Sequence, residues 1–143
     1  ASYGHDVTML ERSKTVYLLV KDALKRARQD AELKPVVARL TLHHWDSTRP
    51  FLPAIGFDAA LVDPMFDEKK KSALPPGNMQ MLQAFLGRGA ELQPFLTAAQ
   101  ELGIRRTIVK RPRLDRAPAK NAVRPVYQLT GRSSRLDVFF NQV

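Results

Sequence analysis

Residues 57–71 read FDAALVDPMFDEKKK. The stretch up to Asp63 is a nearly continuous apolar run, the pattern of a parallel strand covered on both faces. It closes on Asp63, then Pro64, Met65 and Phe66, and three lysines follow shortly after. Such a stretch is either an ordinary strand exit with a solvated loop behind it, or the lip of a site at the carboxyl end of a strand. The segments on either side bear on the choice.

Upstream, HDVTMLE (5–11) reads as a strand finishing at Glu11. Ser13 is placed as an N-cap, and Val16, Val20, Ala23, Leu24 and Ala27 recur at helical spacing, which predicts an amphipathic helix ending near Gln29. ARLTLHH (38–44) alternates as a strand and runs into the turn-rich WDSTRP. Downstream, SALPPGN (72–78) breaks regular structure, and a short helix is expected around residues 79–86. A second helix follows, with Leu92, Phe95, Leu96, Ala99 and Leu102 on one face and Gly103 as its C-terminal cap. RRTIVK (105–110) reads as a strand and RPRLDRAPAKNA (111–122) as a basic, proline-containing loop. VYQLT and RLDVFF, joined by GRSS, form an antiparallel hairpin. This order of strands and helices predicts an α/β fold with a largely parallel sheet.

Length and composition agree with that class. The sequence has 143 residues, 44% hydrophobic and 26% charged, as expected of one soluble globular domain. It contains no cysteine, so disulfide and thiol chemistry are excluded. There is no long apolar run and no leader-like segment, and the expectation is a cytoplasmic protein with no membrane partner. The charge is unevenly placed: residues 105–143 carry ten Lys/Arg against two Asp/Glu, which is +8 of the net +9. Clustered cations gain by releasing counterions from a phosphate backbone, so a polyanion, nucleic acid first, is the expected partner. A basic face kept only for solubility is the plainer alternative.

Glu11, Asp46 and Asp63 each lie at or just past the end of an expected strand, the edge where ligands of parallel sheets gather. Glu11 is placed to accept from ribose hydroxyls and Asp46 from an adenine amino group, although either serves equally as a cap or turn residue. Asp63-Pro64-Met65-Phe66 is the sharper signal. A nitrogen lone pair delocalised into a base is a poor nucleophile. A carboxylate and a backbone carbonyl accepting its two N–H bonds favour a pyramidal amine and stabilise the charge that develops on attack. Pro64 stiffens the turn, and Phe66 is placed to stack on a base. Elsewhere GRGAEL (87–92) imitates a phosphate loop but follows a helix and lacks a third glycine. The histidines have no metal-ligand spacing, so no metal is expected.

MLER (9–12), DPMF (63–66) with KKKSAL (69–74), VKRP (109–112) and RLDVF (135–139), taken together, resemble the bacterial small-subunit ribosomal RNA methyltransferase J family. The resemblance runs in order over essentially the whole chain. It implies a Rossmann-like class I methyltransferase fold and S-adenosylmethionine as cofactor. The implied product is N2-methylguanine in small-subunit ribosomal RNA. It further implies that Glu11 and Arg12 contact the cofactor ribose, Asp46 and Ser47 its adenine side, and Asp63 the cofactor–substrate junction, with Pro64 and Phe66 completing the catalytic block. Lys69, Lys71, Lys110, Arg111 and Arg113 are expected on RNA phosphates. Asp46 stands where a small hydroxyl residue would also suit, and Asp67 where a proline is expected. Two other readings remain: an amino-methyltransferase of adenine or cytosine in DNA, and a basic RNA-binding module with no chemistry.

A class I methyltransferase begins with a strand and a glycine-rich turn, which the sequence from Ala1 onward does not show at its front. That strand would lie between those ending at Glu11 and Asp63, so the expectation is an incomplete copy of the fold, residues 1–143 being its later part, with an intact 143-residue protein of another role as the alternative. The sheet of the incomplete copy would be divided in two.

Overall fold

The computed structural model describes residues 1–51, 56–63, 91–113 and 123–141. They fall into two compact units, Ala1–Ser47 and Thr48–Val143.

In the first unit, β1 (Val7–Glu11) pairs in parallel with β2 (Leu40–His44), with Val7 opposite Leu40 and Glu11 opposite His44. Helix α1 (Lys14–Ala27) joins them and lies against both strands. Its start is fixed as the sequence predicts, because the Ser13 Oγ accepts from the Val16 amide at 3.4 Å and satisfies one of the otherwise orphaned N–H groups. Lys25 and Arg26 in the last turn face the negative end of the helix dipole. Tyr17 on α1 packs its ring 5.3 Å from that of His44 on β2. A single-turn helix, α2 (Lys34–Val37), precedes β2 and buries Val37.

The second unit holds a four-stranded sheet in the order β3-β4-β6-β5, formed by β3 (Ala59–Val62), β4 (Arg106–Pro112), β5 (Tyr127–Thr130) and β6 (Ser134–Phe140). β3 and β4 run parallel, whereas β6 runs antiparallel to both β4 and β5. Helix α3 (Leu92–Glu101) packs on one face of this sheet, where Leu96, Val109 and Phe139 form a buried cluster flanked by Val62 and Leu92. The helix ends as its glycine predicts. Gly103 has φ +67° and donates to Gln100 O, while Ile104 donates to Ala99 O, the paired bonds of a Schellman cap. Asn141 closes the same end by donating to Ile104 O at 2.7 Å and to Thr107 Oγ1 at 3.2 Å.

Among the described residues, Ala60 and Val62 of β3 lie towards the α3 side and Leu61 is 70% exposed. One expectation needs correcting: the basic loop begins later than expected, because Arg111 and Pro112 belong to β4. Pro112 is level with Ser134 on β6, but it is the flanking Arg113 whose N–H bonds across that ladder, to Ser133 O, so the proline costs the β4–β6 pairing no bond. The helix expected around residues 79–86 lies outside the described residues.

Candidate active site

At the carboxyl end of the first unit's sheet, the parallel register brings the two expected cofactor segments together. Glu11 is the last residue of β1 and stands opposite His44, the last of β2. Beyond that level the chains remain tied: Trp45 N–H donates to Glu11 O at 3.0 Å, and His44 Nε2 lies 3.0 Å from Arg12 O. Glu11 and Arg12 therefore leave one strand beside Asp46 and Ser47, which follow the other and are half-buried. The Glu11 Oε1 accepts the Ser13 amide at 2.6 Å, so this acid also turns the chain from β1 into α1. An ionised carboxylate has two oxygens and about four lone-pair positions, and one amide leaves room for further donors. The role of His44 in lashing this edge was not foreseen; only the register reveals it.

In the second unit, Asp63 follows β3 directly. Since Val62 is level with Val109, the next pair along the parallel ladder is Asp63 and Lys110. The Lys110 ammonium donates to Asp63 Oδ2 at 2.9 Å, and both side chains are about half exposed. A lysine expected on phosphate is thus found on the acid expected at the reaction centre. Arg111 points to the opposite face of β4. Its Nε lies 3.0 Å from Oδ2 of Asp137, a residue only 2% exposed. Asp137 also binds Arg135 and accepts from Gln128 Nε2 at 2.8 Å. Arg113 is exposed beyond the strand, its Nη1 3.5 Å from Arg132 O. Arg135 and Asp137 went unassigned in the sequence, although Asp137 is one of just two acids after residue 104 and sits between the apolar Leu136 and Val138. Pro64, Phe66, Lys69 and Lys71 lie outside the described residues.

Among the described residues there is no group of three or more His, Asp or Glu side chains suited to a metal ion. Nor is any described helix long and apolar enough to cross a membrane.

Comparison with known proteins gives these strand-end acids a context. Two curated relatives are both called ribosomal RNA small subunit methyltransferase J. The one from Ectopseudomonas mendocina (strain ymp) is 35% identical over 148 residues, covering 97% of this chain and 54% of the relative. That from Rhodopseudomonas palustris (strain BisB5) is 36% identical over 142 residues, covering 99% of this chain and 64% of the relative. The chain therefore spans between half and two thirds of the length of these relatives. A solved SAM-dependent methyltransferase from Neisseria gonorrhoeae superposes with a TM-score of 0.70 at 29% identity, over 97% of this chain and 57% of that one. This likeness agrees with the Rossmann-like class I fold expected from the strand and helix order. The family described as putative SAM-dependent methyltransferase matches residues 1–141, and the chain belongs to that family.

Proposed function

We propose that the protein carrying this chain is an S-adenosylmethionine-dependent methyltransferase that modifies the exocyclic N2 amine of a guanine in small-subunit ribosomal RNA. The observation that carries the reading is Asp63 at the carboxyl end of a parallel strand, in a chain whose relatives are named for methylation of that RNA. The basic balance of residues 105–143 supports a polyanionic substrate. The cytoplasm, where such RNA is made and assembled, is the corresponding location.

Glu11, Arg12, Asp46 and Ser47 fit the cofactor, since the β1–β2 edge presents two acids and a hydroxyl side by side, suited to ribose hydroxyls and an adenine amino group. When bound, the cofactor supplies an electrophilic methyl group on a sulfonium sulfur. Asp63 accepts an N–H of the target amine, favours the pyramidal nitrogen that attacks, and receives the proton released, directly or through water. Pro64 fixes the turn behind it, and Phe66 stacks on the base, which is extruded if it lies in a helix. Arg113, Lys69 and Lys71 serve the phosphates, positioning the RNA without reading its sequence, whereas Arg111 is tied to Asp137.

The test is transfer of a labelled methyl group from S-adenosylmethionine to small-subunit RNA and to DNA, followed by nucleoside analysis. N2-methylguanosine in RNA is expected, with turnover reduced about 100-fold or more in Asp63→Asn while RNA binding is largely kept. Methylated adenine or cytosine in DNA would replace the substrate. Salt-sensitive RNA binding without any transfer would leave a binding module instead.

A further inference from the structure

We infer that Lys110 is a positioning residue for the Asp63 carboxylate and not a contact for RNA phosphate. The inference rests on the reading of Asp63 as the acid that receives the amine, and deepens it by assigning what holds that acid.

Asp63 is a short side chain at the very end of a strand, and the residue after it is proline, which has no amide N–H to lend it. A donor for it can come from the next strand. The adjacent strand supplies one in register: Lys110 follows Val109 on β4 as Asp63 follows Val62 on β3, and Nζ meets Oδ2 at 2.9 Å. The side chains are 49% and 59% exposed, and an ion pair so open to water adds little to folding stability. What it supplies is direction. One carboxylate oxygen is engaged by a charge-assisted hydrogen bond, which turns the group about its Cα–Cβ bond into one setting and leaves its remaining lone pairs for a donor from solvent or substrate. The ammonium also offsets the repulsion an acid meets when a polyanion approaches, a second reason for a lysine beside this acid. A lysine committed to a phosphate would have to leave Asp63 as the RNA bound.

The two roles part in measurement. With Lys110→Met, the positioning role predicts a fall of about tenfold in kcat with the RNA KM and the salt dependence of binding unchanged, and Lys110→Arg recovers most of the loss. A phosphate contact predicts the reverse: a raised KM, a salt slope smaller by about one, and an unchanged kcat. A readout independent of turnover is the χ1 rotamer of Asp63 from NMR scalar couplings, expected to be single in the native protein and averaged in Lys110→Met. If the native protein transfers no methyl group to RNA, the functional reading falls and the couplings alone decide the role of Lys110. A single Asp63 rotamer in Lys110→Met, or a loss confined to KM, would overturn the inference.

Discussion

Arg135 and Asp137 stand two residues apart on β6 and, by the period of a strand, on the same face, where they form a two-pronged ion pair: Nε to Oδ1 at 2.9 Å and Nη2 to Oδ2 at 3.3 Å. Arg111 reaches the same carboxylate from β4, where it is the register partner of Arg135. Phe139 is next along this face, so the charged trio continues the apolar cluster under α3 without a break. The two arginine side chains are largely buried and the acid almost wholly so.

Charges in such a place cost several kcal/mol each to desolvate, and the carboxylate is what offsets that for both guanidinium groups. Asp137→Ala is therefore expected to lower unfolding free energy by about 3–5 kcal/mol, because it strands two partly buried cations. Urea denaturation reads this as a lower midpoint at an unchanged slope. A loss below about 1 kcal/mol would mean that the trio rearranges freely into water.

The consecutive phenylalanines of β6 give a contrast within one strand. Phe139 is 3% exposed and Phe140 is 47% exposed. Phe139→Ala empties part of the cluster with Leu96 and Val109 and should cost about 3–5 kcal/mol. Phe140→Ala loses only a half-exposed ring, packed near Tyr127 and beneath Arg106, and about 1 kcal/mol is expected. Thermal melts of the two variants side by side check the difference.

At Gly103 the backbone alone sets the expectation. Its φ of +67° is left-handed, and a Cβ placed there meets nothing within 4 Å. Gly103→Ala should thus cost about 1–2 kcal/mol from strain in the cap, with no clash added. Denaturant midpoints test it, and a neutral result would mean that α3 ends differently from the Schellman geometry.

Much of this architecture is visible in the sequence because its elements carry their own punctuation. Ser13 opens α1 and Gly103 closes α3 by local chemistry, and the alternation in 126–140 signals the hairpin from within one segment. Glu11 and Asp46 can be picked out as acids just past strand ends, and the register then sets their segments side by side. The pairings Lys110–Asp63 and Arg111–Asp137 could not be read in the same way. Each joins strands far apart along the chain, and a shift of one residue in register would turn both lysine and arginine to the opposite faces.

The turn that Glu11 makes and the cofactor role proposed for it are separated by a single substitution. The Glu11 Oε1 accepts the Ser13 amide and shapes the turn into α1, a bond that a neutral amide oxygen can also accept. Glu11→Gln should therefore fold with a melting temperature close to that of the native protein. Cofactor hydroxyls, by contrast, bond more strongly to a charged acceptor, by about 1.5 kcal/mol, which corresponds to roughly tenfold in affinity. Titration calorimetry with S-adenosylmethionine is expected to show that weakening, while Glu11→Ala loses both the binding and part of the stability. Native affinity in Glu11→Gln would confine this residue to the turn and leave the cofactor to Asp46 and its neighbours on the β2 side.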